Sequence, residues 1–593
     1  MEASRATRWA DGLVLALVVA LAAALRLLLV LSIEPTLHDV IPIIESHNYA
    51  GSHDLVSLAW RHLTGWFWAD PPAGWFRVPS CAASLALVGL LTLRVRADSG
   101  RLVGGVVGLL AATSFPLVLL ASQVRGYSMH ILGTWLLLSG LRGMMQGGRG
   151  SRVFVLGAIL AAAHQFVTVV AATGMAVLCA WAVLAWRTPP VRNLRAPASL
   201  RSLAAALLVV GAAGAMWFGN LALTGVNAAY QQGSPHLMGV GRIDQRGLAG
   251  VLLWPFGWLH GGPSWAILPW YALALAGLAI ALWRRTPGTR LLLAGALLYA
   301  LLPLLLNLSV GSVGMQPGQA AFLAVPLVTW VAVGIAGVAE GLPALIAKPS
   351  TWRLVASRLI AAALVVLLAV PAAEAVLRYA RRGFSTETGY RFGEMADRLD
   401  GLLAQDNLVF VESQQFFHSA HLLAWRFGDR ADRLRFVSER LPQPTLFRRF
   451  LLHDWSHAPG TYFDAWRWED FDGWIARRER FTGRVFLFLP DNETLSMEEW
   501  LDATPGGLRH RCNGTPRFPG GLRVWEGRTG WIAWADLRDA TPGETVAVLR
   551  EGWNAYMAAC PNVFFLPDGP QPQGGIPGPP GGLQGGPSIP GPR

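Results

Sequence analysis

WADGLVLALVVALAAALRLLLVLSI, residues 9–33, carries only two charged side chains, Asp11 and Arg26, in 25 residues. As a helix it rises about 37 Å at ~1.5 Å per residue, enough to cross the ~30 Å hydrocarbon core of a bilayer. It exceeds the apolar part of a secretory leader and has no small-residue cleavage site before its polar flank, so it reads as a retained first membrane helix. Further apolar runs near spanning length lie at about 78–94, 102–121, 126–141, 200–219, 264–283, 291–309, 319–340 and 355–378. The run 153–186 is too long for one helix and has arginine-rich flanks, so it reads as two short crossings with a turn near His164. That predicts about eleven crossings. Composition agrees: of 593 residues 53% are hydrophobic and 15% charged, against roughly 25% charged in a soluble domain, and the mean hydropathy is +0.39. A purely soluble globular protein is excluded, and the expected fold is mainly α, a polytopic transmembrane helix bundle.

The net charge of +12 rests on arginine, because Lys348 is the only lysine. With the N-terminus in the cytoplasm, the segments assigned inside hold eighteen basic residues, while the outside connections hold Arg61, Arg77, Arg125, Arg242 and Arg246. This is the positive-inside pattern of a multi-pass inner (plasma) membrane protein, so the charge does not call for a nucleic-acid partner. An odd number of crossings then places the chain after about residue 379 outside. The apolar segment 248–262 has no basic residue beyond it before Ser264 and reads as re-entrant or interfacial.

Beyond residue 378 the pattern changes. DNLVFVES (406–413) and RVFLFLPD (484–491) are short β-rich runs, and ETGYRFGEMADRLDGLLAQ (387–405) is an amphipathic helix, which together predict an extracytoplasmic α/β domain over 379–565. Residues 566–593, with 9 Gly and 9 Pro among 28, read as a disordered tail. Cys81 and Cys179 lie in apolar runs. Cys512 and Cys560 lie in the outer region and are candidates for a disulfide if it faces an oxidising compartment.

Two stretches carry chemistry. The first outer loop, 34–77, contains Asp39, Glu45, Asp54, Asp70, His38, His47, His53 and His62. Carboxylates and imidazoles at a membrane surface act as general bases, worth about 10² to 10⁴ in rate, or hold a divalent ion. The alternative is a solvated loop with incidental charges, and the histidines lack the i, i+4 spacing that aligns metal ligands on a helix. Trp60, Trp66, Phe67, Trp68 and Trp75 in the same loop suit a segment lying in the membrane interface. The second stretch is SFPLVLLASQVRGYSMHILGTWLLLSG, 114–140, with Arg125 between two apolar runs. An arginine near bilayer depth costs about 2.5 to 3.5 kcal/mol on insertion scales, and its planar guanidinium suits phosphate, although snorkelling or an internal ion pair would also satisfy it. Arg26, inside the first apolar run, must likewise be paired in the bundle or snorkel outward.

The combination resembles the type C glycosyltransferases, the GT-C superfamily, whose members include family-39 protein O-mannosyltransferases and the aminoarabinose and arabinofuranosyl transferases. Asp39 in LHDV matches the acid of that family's first outer loop. Arg77, Val78, Pro79 and Ser80 look like its Arg-x-Pro-Ser pattern, and Ser114 to Pro116 followed by Ser122, Gln123, Val124, Arg125, Gly126 and Tyr127 look like its Ser-Pro then Gln-Glu-Ala-Arg-x-Tyr signature. His164 in AAAHQF resembles a later threonine-histidine-aromatic hairpin. Val40 replaces a second acid, Val124 replaces a glutamate, and Gln316 and Gln319 in MQPGQAAFLAVPL stand where many relatives carry Arg-Tyr.

The resemblance implies a glycosyltransferase-like membrane domain over 1–378 that takes a sugar from a polyprenyl-phosphate donor to an extracytoplasmic glycan, lipid or protein. Asp39 would be the general base, with Glu45 and Asp54 as further acids. Arg125, Arg77 and Tyr127 would meet the donor phosphate, and His53, His164 and Gln123 would line the pocket. It names no certain cofactor and leaves a divalent cation open. Two other classes remain: a transporter or flippase of envelope precursors, which would more often show internal repeats and midplane ionisable residues, and a membrane scaffold displaying an α/β domain.

Overall fold

The computed structural model describes residues 2–33, 60, 63–64, 73–124, 126–148, 150–162, 166–186 less its last residue, 191–224, 267–286, 288–309, 320–346, 351–382, 393–403, 407–411, 423, 434–439, 462–466, 484–490, 512, 514–527, 530–536 and 542–560. Asp39, Glu45, His53, Asp54, Arg125 and His164 lie outside these residues, as do the segment 248–262 and the tail 566–593.

Twelve helices build the apolar part: α1 (Glu2–Ser32), α2 (Val78–Ser99), α3 (Arg101–Thr113), α4 (Phe115–Ala121), α5 (Tyr127–Met145), α6 (Gly150–Ala161), α7 (Phe166–Ala185), α8 (Pro197–Thr224), α9 (Ile267–Trp283), α10 (Thr289–Ser309), α11 (Ala324–Ile346) and α12 (Thr351–Arg382). Each apolar run of the sequence falls on one of them, with 102–121 on the pair α3 and α4 and 153–186 on α6 and α7. Five stretches, in α1, α2, α8, α11 and α12, are long and apolar enough to cross a membrane, and α3 with α4, bent by 55°, makes a sixth. This is a multi-pass membrane protein. Among the described residues these spans account for five or six of the eleven expected crossings by length and composition, and α6, α7, α9 and α10 contribute shorter apolar stretches of 10–17 residues.

Local sequence explains the joints. Gly100 takes φ +93°, which lets α2 turn directly into α3. Between α3 and α4 the ladder breaks at Pro116, which has no N–H to give to the carbonyl of Ala112 four residues back. Arg26 fills that gap. Its Nη1 donates to the carbonyls of Ala112 and Ala22, each at 3.1 Å, its Nη2 to Ala111 at 3.4 Å and its Nε to Ser84 Oγ at 2.8 Å. The residue is fully buried, so of the two fates open to it the structure selects pairing within the bundle. Ser84 passes the connection on by donating to the carbonyl of Leu117 at 3.2 Å.

Elsewhere the helices close on small residues, as membrane helices do when backbones must approach. A Cβ on Gly277 of α9 would collide with the carbonyl of Trp330 on α11. At the end of α5 distant from Tyr127, Arg142 donates through both terminal nitrogens to Asp98, fastening α5 to the last turn of α2.

The C-terminal part holds a six-stranded sheet, β1 (Asn407–Val411), β2 (Leu434–Glu439), β3 (Tyr462–Trp466), β4 (Arg484–Pro490), β5 (Arg523–Gly527) and β6 (Gly530–Asp536), in the order β3-β2-β1-β4-β6-β5. The strands β1 to β4 run parallel, and β6 is antiparallel to both β4 and β5. Two helices accompany it, α13 (Gly393–Asp400) and α14 (Pro542–Ala559). The apolar runs of β4 and β6 meet Leu549, Trp553 and Tyr556 of α14 in one core.

A disulfide joins Cys512 to Cys560 at the end of α14, closing a separation of 48 residues. Loop-closure entropy assigns such a bridge about 4 kcal/mol. Replacing both cysteines by serine is expected to speed hydrogen exchange of the β6 and α14 amides by up to ~10³-fold, the same energy expressed as a rate. Unchanged exchange would mean that the bridge adds nothing to this fold.

Candidate active site at the α4–α5 turn

The loop 34–77 connects α1 to α2, and Arg77 ties those two helices together. It is the residue before α2, almost fully buried, and its Nη1 donates to the carbonyls of Val30 at 3.0 Å and Ile33 at 2.9 Å. The last carbonyls of a helix have no intrahelical donor, so Arg77 caps α1. This geometry makes it the anchor of the loop's two ends.

The returning part of the loop is braced by two tryptophans. Trp60 Nε1 donates to the carbonyl of Trp75 at 3.1 Å, Trp75 Nε1 donates to Thr64 Oγ1 at 2.9 Å, and the two rings lie 5.3 Å apart. Both were expected as interfacial anchors; here they are half-buried and bonded within the protein. Trp60 then packs with Phe76 and Val124. That contact seats the loop on the SQVRGY turn, with Arg77, the neighbour of Phe76, and Gln123, the neighbour of Val124, at the same end of the bundle. Val124 is almost fully buried, which accounts for an apolar residue at that position of the signature.

The turn itself runs from the end of α4 to the start of α5. Ser122 Oγ donates to the carbonyl of Leu119 at 2.7 Å, closing α4. Gln123 is 5% exposed and Ser128, in the first turn of α5, is 2% exposed. Neither Gln123 Oε1 nor Ser128 Oγ has a hydrogen-bond partner among the described residues. Buried polar atoms are nearly always paired, so two orphans flanking one turn mark a place for a ligand or water. Tyr127 is the first residue of α5 and is buried. Among the described residues no group of three or more His, Cys, Asp or Glu side chains gathers as a metal site, while the acids and histidines of the loop 34–77 all fall outside them.

Sequence reasoning missed His130. It lies one turn into α5 with no exposed surface, and its ring touches Tyr299 of α10 and the carbonyl of Ala161 at the end of α6. The available signal was a histidine three residues after Tyr127 inside an otherwise apolar run. Nothing in the sequence near 130 names Tyr299 as its partner.

The helix bundle and the sheet-containing C-terminal part have the fold of solved type C glycosyltransferases. Among solved structures, ArnT from Cupriavidus metallidurans in the apo state aligns over 89% of this chain and 98% of its own, with TM-score 0.51 and 11% identity. The same protein bound to undecaprenyl phosphate aligns over 87% and 97%, with TM-score 0.50 and 12% identity. No protein-family model and no curated protein sequence matches the chain.

Proposed function

We propose that this protein is a membrane glycosyltransferase that moves a sugar from a polyprenyl-phosphate donor to an extracytoplasmic acceptor, with Asp39 as general base and Arg125 on the donor phosphate. The acceptor hydroxyl gives its proton to Asp39 as its oxygen bonds to the anomeric carbon. The bond from that carbon to the phosphate oxygen breaks, and polyprenyl phosphate leaves. A single displacement of this kind inverts the anomeric centre, and the arginine stabilises charge growing on the leaving phosphate.

The observation that carries this reading is the packing of Trp60 and Phe76 on Val124, which joins the acid-bearing outer loop to the arginine-bearing turn. The orphaned atoms beside that turn suit such a ligand: Gln123 Oε1 can accept from a sugar hydroxyl, and the Ser128 hydroxyl can donate to a phosphate oxygen. The shared fold adds support, since the ArnT structure accommodates undecaprenyl phosphate. The disulfide between Cys512 and Cys560 favours an oxidising compartment, in keeping with the C-terminal part facing outward across an inner membrane.

A transporter or flippase would draw on the broken span α3–α4. In this chain the gap at the break is filled by Arg26, bonded to both Ala111 and Ala112, which leaves the freed carbonyls satisfied by the protein itself.

The reading is tested by titrating undecaprenyl phosphate into the protein in lipid nanodiscs. Arg125→Ala is expected to raise the Kd by ~10- to 100-fold, the worth of a charge-assisted hydrogen bond. Equal affinity in the folded variant would remove Arg125 from the donor site.

A further inference from the structure

We propose that His130 is a positioning residue for the donor site, a pin that locks the first turn of α5, and with it the SQVRGY turn, against α6 and α10. The inference rests on the donor-site reading above. The backbone N–H of His130 donates to the carbonyl of Gly126 at 2.8 Å, closing the first turn of α5 over the residue that follows Arg125. Its side chain reaches away from that turn to two other helices. A carbonyl only accepts, so Nδ1 carries the hydrogen in the 3.0 Å contact with Ala161, and Nε2 then accepts from the Tyr299 hydroxyl at 2.8 Å. Thr134 Oγ1 donates to the carbonyl of His130 at 2.7 Å, adding a third tie one turn on.

Each partner is itself held. The carbonyl of Ala161 belongs to the final turn of α6, where intrahelical donors run out, so the imidazole serves as its cap. Tyr299 has no exposed surface, and its ring lies 5.0 Å from that of Phe322, just ahead of α11. One side chain therefore links α5, α6 and α10 at the level of the turn that carries Arg125. A ring with both nitrogens bonded to different helices has no second rotamer that keeps both bonds, and this fixes the turn without any contact between His130 and substrate.

The test compares wild type with His130→Leu, which removes both bonds, and His130→Asn, whose amide N–H stands where Nδ1 does. Undecaprenyl phosphate affinity and hydrogen exchange of the 126–130 amides are measured on each in nanodiscs. His130→Leu is expected to weaken affinity more than ~10-fold and to speed that exchange, while His130→Asn, which keeps the Ala161 bond and loses the Tyr299 one, is expected to lose only ~3- to 10-fold and to speed exchange less. If His130→Leu does not fold, Tyr299→Phe removes only the hydroxyl, and a ~3- to 10-fold loss of affinity is expected of it. Affinity equal to wild type in folded His130→Leu, with exchange at 126–130 unchanged, would overturn the proposal, as would equal losses in the leucine and asparagine variants. Faster exchange in the leucine variant alone, in a protein whose wild type binds no undecaprenyl phosphate, would uphold the pin and overturn the donor reading instead.

Discussion

Asp39→Asn is expected to slow turnover of a polyprenyl-phosphate sugar by ~10² to 10⁴-fold while leaving the affinity for undecaprenyl phosphate within about twofold of wild type. The amide is nearly the same size as the carboxylate and keeps its hydrogen-bonding capacity, but it accepts no proton from an attacking hydroxyl. The loss therefore falls on the chemical step, which separates a base from a residue that merely shapes the loop. Glu45→Gln and Asp54→Asn, in the same loop, are expected to cost less than tenfold each. A tenfold or smaller loss at Asp39 beside a larger one at Glu45 or Asp54 would move the base to that residue. Rates of polyprenyl-phosphate release and binding isotherms on the same preparations check all three.

The second large effect concerns folding. Arg26→Met is expected to lower stability by about 2 to 4 kcal/mol, because the methionine fits the apolar stem but leaves the Ala111 and Ala112 carbonyls unmet in a buried setting, at roughly 1–3 kcal/mol per orphaned group. Pro116→Ala restores an N–H four residues after Ala112, in reach of a continuous helix. In the Arg26→Met background it is therefore expected to return part of the loss, and in the wild-type background to give little or nothing. The coupling between the two substitutions, read from a double-mutant cycle of thermal unfolding in detergent, is expected to exceed ~1 kcal/mol. Additive effects would show that Arg26 does not serve the carbonyl freed by Pro116.

Much of this fold is written in hydropathy. Each apolar run read as a crossing coincides, among the described residues, with a helix or helix pair, and the stretch 153–186 divides into α6 and α7. Five of these runs, and a sixth across the bend between α3 and α4, are long and apolar enough to cross a membrane among the described residues. The break between α3 and α4 was in principle visible as Ser-Phe-Pro, but the partner that mends it, Arg26, sits 86 residues earlier than Ala112.

The site divides in the same way. The SQVRGY turn and the residue pattern from Arg77 to Ser80 stood out as short motifs, and Gln123 is a buried residue of that turn. The role of Arg77 as a cap on α1 could not be read from a sequence in which the capped carbonyls are 44 and 47 residues away. His130 escaped notice because a single histidine in an apolar run means little until Ala161 and Tyr299 are seen around it. Motifs report local chemistry, whereas pairings across helices depend on packing that no local window contains.

The central claim is donor chemistry, and the most direct measurement is release of polyprenyl phosphate from a panel of polyprenyl-phosphate sugars by the purified protein in detergent, with envelope extract supplied as acceptor. Detergent abolishes the two compartments that transport requires, so release there reports bond cleavage alone. The expected result is release of polyprenyl phosphate from at least one donor, matched by sugar appearing on an acceptor and lost in Asp39→Asn. No release from any donor, while the same protein in liposomes carries a labelled lipid-linked sugar across the bilayer, would contradict the transferase and establish a flippase.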